Sequence, residues 1–344
     1  MRETPDPTPA PAPPQRLRRI EIRNYKALDA LDLDFPAPLM TGDPDITVVG
    51  SANGVGKTSL LECCALAHLN MTDPVLLEAM LEGAGLEDEW RHHIRANQPR
   101  ATIVGYHTKE NVGGQVLLQR DDQHDVALPA TNEDDDEDYQ ISTDPLLSAQ
   151  ALLGRSANPM LLPELLFFHS SRKILEGSIP AAKLLNGGGE HISVFKRVIL
   201  SAMMGRAGLI EDVSASDAAE RYEKLDELLA VFAGYRLAKL RGVEGDFELR
   251  VASPQGLNFT FDGLSSGQKE IVSTLFLIWH STRARPALVL IDEPELHLNA
   301  EWHRDFVLQL HKLAPRNQYI LATHSAHIFA SVDRDRRIML GPRT

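Results

Sequence analysis

The nine residues Gly50-Ser51-Ala52-Asn53-Gly54-Val55-Gly56-Lys57-Thr58 restrict the folds open to this chain more than any other stretch. The apolar run before them, Ile46-Thr47-Val48-Val49, reads as a short buried strand, and residues 59–69 after them read as a helix. Strand, glycine-rich loop, Lys-Thr and helix, in that order, make the setting that a phosphate-binding loop requires. Glycines let backbone N–H groups converge on phosphate oxygens, and the helix turns its positive end toward the same point. Ser51, Ala52, Asn53, Gly54, Val55, Gly56 and Ser59 are the expected cradle. Lys57 is expected to reach the β- and γ-phosphates, and the Thr58 hydroxyl to sit on Mg²⁺. The motif asks for glycine where Ser51 stands; the glycine is one place earlier, at Gly50. If that first glycine serves the turn, Ser51 is tolerated.

The chain has 344 residues, room for one large domain or two ordinary ones. No apolar run approaches the ~20 residues that span a bilayer. The start, with prolines at 5, 7, 9, 11, 13 and 14, reads as a disordered tail with no apolar core of a secretory signal. Cys63 and Cys64 are adjacent in one expected helix, poorly placed for a disulfide, and a reducing cytoplasm is the simplest compartment. The net charge is −13, yet residues 121–138 hold nine carboxylates and no Lys or Arg, leaving −4 for the rest. Such a run is most simply a solvated loop, so charge neither supports nor excludes DNA. His92, His93 and His107 lack carboxylate or thiol company and are read as ordinary histidines, not ligands.

Before the loop, residues 16–23 and 28–35 alternate as strands around the turn Asn24-Tyr25-Lys26-Ala27. After it, the pattern predicts a helix over 76–86, strands over 101–106 and 115–120, and a helix over 145–153. Leu165-Leu166-Phe167-Phe168 reads as a core strand that runs into His169-Ser170-Ser171-Arg172. Helices are expected over 191–204 and 215–232, the second with Tyr222, Leu225, Leu228, Leu229 and Phe232 on one face. A strand pair over 248–251 and 258–261 would turn at Ser253-Pro254-Gln255-Gly256.

The last third carries the remaining chemistry. Leu264-Ser265-Ser266-Gly267-Gln268 opens an apolar helix, with Ser265 as its N-cap. The apolar strand Ala287-Leu288-Val289-Leu290-Ile291 ends in Asp292-Glu293-Pro294. Two carboxylates there need a reason, because burying them is costly unless they are paired or hold a metal. Asp292 on Mg²⁺ supplies one, with Glu293 as the base that orients or deprotonates the attacking water. A second buried strand, 319–323, ends in His324, placed to donate to a γ-phosphate.

As an ordered set, the loop, Leu264-Ser265-Ser266-Gly267-Gln268, Asp292-Glu293-Pro294 and Thr323-His324-Ser325 resemble the ABC-type ATPase head, in particular its RecF/SMC/OLD-like branch. Residues 22–28 and Glu293-Pro294-Glu295-Leu296-His297-Leu298 resemble that branch too. The resemblance implies an α/β P-loop NTPase, a mixed β-sheet core flanked by helices with an inserted helical lobe. It implies ATP and Mg²⁺ as ligands, and a homodimer formed through the ATP sites. Ser265 and Gly267 of one copy would then cap the γ-phosphate held by Lys57 of the other, with Ser266 and Gln268 in the same nucleotide-binding segment. The implied division is a tail at 1–15, the first part of the ATPase lobe at 16–70, an insertion with the acidic loop at 71–160, a helical lobe at 161–255, and the rest of the ATPase lobe at 256–344. The family's glutamine loop has no clear counterpart; by order it falls on 166–171, which offers His169 instead. The implied function is a cytoplasmic ATPase that drives or regulates a separate effector protein in anti-phage defence or DNA repair, with DNA left open as a partner and no membrane. A transporter's ATP-binding subunit and a slow-turnover scaffold or sensor are the alternatives. Asp333-Arg334-Asp335 reads as a loop rather than part of a nuclease domain.

Overall fold

The computed structural model describes residues 15–40, 42–51, 54–82, 87–108, 112–119, 125–127, 144–180, 193–208, 214–243 and 245–341. The Pro-rich start, Ala52, Asn53, the break at 186–189, His191 and all of the acidic run except 125–127 lie outside them.

Two sheets organise the chain. The first is antiparallel: β1 (Arg19–Tyr25), β2 (Leu28–Asp34), β4 (Arg100–Tyr106), β5 (Val112–Gln119) and β6 (Asp125–Ala127), in the order β2-β1-β4-β5-β6. The second contains β3 (Asp45–Ser51), β7 (Met160–Leu161), β8 (Leu165–Phe168), β9 (Leu288–Asp292), β10 (Gln318–Thr323) and β11 (Arg337–Leu340). Its order is β11-β3-β10-β9-β8-β7, parallel except for the β7–β8 edge pair.

Parallel strands are covered on both faces, and their side chains alternate between them. Val49, Leu165, Phe167, Leu288, Leu290, Ile320 and Ala322 point into one apolar core. Their neighbours Val48, Leu166, Phe168, Val289, Ile291, Tyr319 and Leu321 point into the other. The helix α1 (Lys57–Thr72) lies in the first core between the two sheets, and fourteen of its sixteen residues are buried. A helix covered all round is mostly apolar all round, so 59–69 has no exposed polar face, and its polar residues Ser59, Glu62 and His68 are themselves buried. Cys63 and Cys64 are both fully buried free thiols there. α2 (Pro74–Glu82), α3 (Glu87–His93) and α4 (Pro145–Leu152) complete this side.

The second core is roofed by α5 (Val194–Arg206), α6 (Ala215–Phe232), α7 (Ser266–Thr282) and α8 (Ala300–Leu313), followed by the short α9 (Ala326–Ala330). In α6, Leu225, Leu228, Leu229 and Phe232 are buried and Tyr222 packs beside them, as the spacing predicts. One expectation fails. Residues 248–251 are not one strand: Asp246–Glu248 pairs with 179–180 and 241–243, whereas Arg250–Ala252 pairs with Asn258–Thr260. Period-two alternation ran on through Leu249, where the chain changes partners. Asp333 to Asp335 lead into β11 through a single turn, Arg334–Arg336, as a loop reading requires. Among the described residues, no helix is long and apolar enough to cross a membrane.

Candidate active site

Register brings the site together. In the parallel sheet Thr323 lies beside Gly50, and Asp292 beside Ala322. The ends of β3, β10 and β9 therefore fall in one row, at the carboxyl edge where open parallel sheets bind ligands. Ser51 is the last residue of β3, Lys57 the first of α1, and the loop turns between them through Gly54 (φ +74°) and Gly56 (φ +105°). A Cβ on Gly56 would stand 2.8 Å from Leu28 Cδ2 and 3.2 Å from Ala27 Cβ. The β1–β2 turn thus props the loop from behind. The same turn reaches α1 through Tyr25 and Lys26, whose hydroxyl and ammonium donate to Glu62 at 3.1 and 2.7 Å. Burial raises the pKa of Glu62, and Lys26 and Tyr25 oppose the shift.

Gly50 departs from expectation. It does not serve the turn: it is within β3, and a Cβ there would lie 2.8 Å from the Phe329 ring. Close packing of α9 against the strand needs the glycine. Ser51 is indeed compatible with the loop, since its Oγ accepts from Lys57 Nζ at 3.1 Å.

Thr58 Oγ1 donates to Asp292 Oδ2 at 2.8 Å. Asp292 is 1% exposed, and its other oxygen, Oδ1, is buried with no hydrogen-bond partner. Lys57 Nζ lies 2.8 Å from Nε2 of His324, which is itself 3.7 Å from Glu293 Oε1. Burial lowers the pKa of Lys57, while the charges of Asp292, Glu293 and Glu295 pull it back up. His324 is held from below: Glu295 accepts from the His324 and Ser325 backbone N–H groups (2.5 and 3.2 Å) and from Thr323 Oγ1 (2.6 Å). The structure thus gathers Ser51, Lys57, Thr58, Asp292, Glu293 and His324. Ala52 and Asn53 lie outside the described residues; Val55 and Ser59 flank the loop and the helix start.

Ser265, Ser266, Gly267 and Gln268 stand apart from that cluster. Ser265 caps α7 as predicted, in a reciprocal box with Gln268: each backbone N–H meets the other's side chain, at 3.1 and 3.3 Å. Gln268 also donates to the Ala233 carbonyl, so within this chain its side chain is engaged in structure. Ser265 and Ser266 are exposed, and Gly267 is buried under the carbonyl of His297, 2.4 Å from where a Cβ would be.

Sequence reasoning passed over Arg172. This buried arginine pairs with Glu270 of α7 and donates to the Asp292 and Glu293 carbonyls at 2.6 and 3.3 Å. A carboxylate inside the apolar face of α7 was the signal that some cation is buried opposite it. His169 directly follows β8, whose last residue Phe168 pairs with Ile291 of the strand that ends in Asp292. Burial lowers its pKa, partly offset by the charge of Asp292.

The donors fit a magnesium-bound triphosphate. A hydroxyl and a carboxylate are hard oxygen ligands, and Mg²⁺ takes one or two protein carboxylates with water and phosphate oxygens filling the rest. Among the described residues, no group of three or more His, Cys, Asp or Glu forms a protein-only metal cage. The partnerless Oδ1 of Asp292 faces the same need from the protein's side.

Residues 161–330 match the family described as "AAA domain, putative AbiEii toxin, Type IV TA system". The fold is similar to an SMC head bound to the C-winged helix domain of ScpA, at 14% identity over 92% of each chain, TM-score 0.51. It is similar to an SMC head with an extended coiled coil bound to the C-terminal domain of ScpA, derived from Pyrococcus furiosus, at 13% identity over 92% of each chain, TM-score 0.50. The recombination mediator protein RecF matches at 13% identity over 93% of this chain and 95% of the other, TM-score 0.47. The chain therefore shares the fold of the SMC heads, and its residues 161–330 are similar to the AAA-domain family.

Proposed function

We propose that the protein binds and hydrolyses ATP with Mg²⁺ between two copies of itself, and that this cycle drives a separate effector. The observation that carries the reading is the buried, partnerless Oδ1 of Asp292 beside Thr58, within the cluster of Lys57, Glu293 and His324. Thr58 and Asp292 would hold Mg²⁺, which supplies neutralisation of phosphate charge when bound. Lys57 grips the phosphate tail, and its partial burial strengthens the attraction between ammonium and phosphate over that in open water. Glu293 takes the proton of the attacking water, and His324 orients both. The exposed Ser265 and Ser266, on the N-terminal turn of α7, supply the surface that closes over the nucleotide of the second copy. The division into an ATPase lobe and a helical lobe at 161–255 belongs to this reading. The toxin and antitoxin wording of the matching family supports defence over repair as the setting.

The test is steady-state phosphate release by the purified protein with Mg²⁺, beside Lys57→Ala. The parent is expected to turn over ATP and Lys57→Ala to lose nucleotide binding. A parent with no Mg²⁺-dependent turnover sinks the hydrolytic reading.

A further inference from the structure

Arg172 lies at the junction of three elements. Its Nε meets Glu270, the fifth residue of α7. Its Nη1 donates to the carbonyls of Phe168 and His169 at the end of β8, at 3.3 and 3.0 Å, and to that of Asp292 at 2.6 Å. Its Nη2 donates to the Glu293 carbonyl at 3.3 Å. The two side chains are only 5% and 9% exposed, and Thr274 Oγ1 also donates to Glu270 at 3.3 Å. A buried ion pair is weak evidence for stability, since desolvation offsets the attraction. What this one does is geometric: a planar fork spans several acceptors at fixed angles, as an ammonium cannot.

The peptide it grips is unusual. Glu293 has φ +48°, a conformation that a side chain adopts only when its surroundings impose it. Its N–H donates to the Ala322 carbonyl at 2.8 Å on one side, and Arg172 holds its carbonyl on the other. A second link joins the same two elements, because Gly267 lies directly under the His297 carbonyl.

We propose that Arg172 is a positioning residue that couples the N-terminal turn of α7 to the backbone carrying Asp292 and Glu293. Pressure on Ser265 to Gly267 from a second copy then reaches the Glu293 carboxylate through Glu270 and Arg172. The proposal rests on the reading that α7 faces the nucleotide of another copy. Its consequence is that the base is set for hydrolysis only when the helix is engaged.

The test compares the full-length parent with Glu270→Gln, Arg172→Lys and the double variant. It measures fluorescent ATP-analogue binding, turnover and hydrogen exchange of residues 292–298. Glu270→Gln keeps the size and most packing of the side chain. Expected are analogue affinities within about threefold of the parent, a kcat lowered about tenfold or more with KM little changed, and a double variant no worse than either single one. Faster exchange over 292–298, without change in melting temperature large enough to unfold the protein, is expected to accompany the loss. Overturning results are kcat within about twofold of the parent in both single variants, or losses of affinity and turnover that merely track unfolding. A parent without turnover refutes the hydrolytic reading instead. The coupling is then decided by exchange alone: unchanged exchange over 292–298 in Glu270→Gln refutes it, and faster exchange supports it.

Discussion

Changing Gly56 to alanine would separate two costs that the phosphate loop carries. The first is conformational: at φ +105° an L-residue is strained by ~1–2 kcal/mol. The second is steric: the new Cβ would lie 2.8 Å from Leu28 Cδ2, inside the distance real carbon atoms keep, and Leu28 is itself buried. Overpacking of that kind costs ~1–3 kcal/mol. Gly54 is the control, since it shares the positive φ (+74°) but no atom lies within 4 Å of its would-be Cβ. Gly54→Ala should therefore lose ~1–2 kcal/mol and Gly56→Ala ~2–5 kcal/mol. Removing Leu28 as well should return part of the second cost. The pair Gly56→Ala and Leu28→Ala should be less harmful together than their sum, by ~1–3 kcal/mol. Urea unfolding followed by the fluorescence of the three tryptophans measures each value. Equal losses for Gly54→Ala and Gly56→Ala, or additivity within ~0.5 kcal/mol, would refute the claim that the β1–β2 turn props the loop.

Three further outcomes are expected. Glu295→Gln removes the anionic acceptor of three donors around His324, so turnover should fall about tenfold or more while nucleotide affinity holds; a loss of affinity with unchanged kcat would contradict that role. Burial lowers the pKa of His68 to about 4 and of His280 to about 4, both below the ordinary 6.5. The unfolded chain then takes up protons first, so stability is full above pH 6.5 and falls as pH drops toward 4. His68 alone should account for about 2 kcal/mol between pH 7 and pH 5 in urea midpoints, and a gain of stability on acidification would reverse the sign. Burial pushes the Cys64 thiol upward and Cys63 well upward, so a thiol reagent should label neither until the protein is denatured.

Much of this fold is written locally. α6 begins and ends where its apolar spacing does, and β3, α1, β9 and β10 are apolar runs bounded by loops with their own chemistry. The grouping of Lys57, Thr58, Asp292 and His324 was legible because each ends or begins a parallel core element, and parallel strands bring such ends to one edge. What stayed hidden depends on distant partners. Arg172 meets a side chain 98 residues away and a carbonyl 120 residues away, and carbonyls leave no trace in sequence. Glu62 was visible as a carboxylate in a mostly apolar helix, but its partners Tyr25 and Lys26 lay on a turn read for its shape and its family likeness, not for a contact with that helix. Gly50 was misread for a similar reason, since the ring that requires it comes from α9. The split at Leu249 lies beyond alternation, because Asp246–Glu248 pairs with a two-residue strand near 180.

Self-association of Glu293→Gln bears most directly on the central idea. Sedimentation velocity of that variant, run without nucleotide, with Mg²⁺ and ATP, and with ATP plus a chelator, is the measurement. A stable species of twice the mass should form only with both Mg²⁺ and ATP, and Lys57→Ala in the same chain should abolish it. The same sedimentation coefficient in all three conditions, with ATP shown to be bound, would contradict the account.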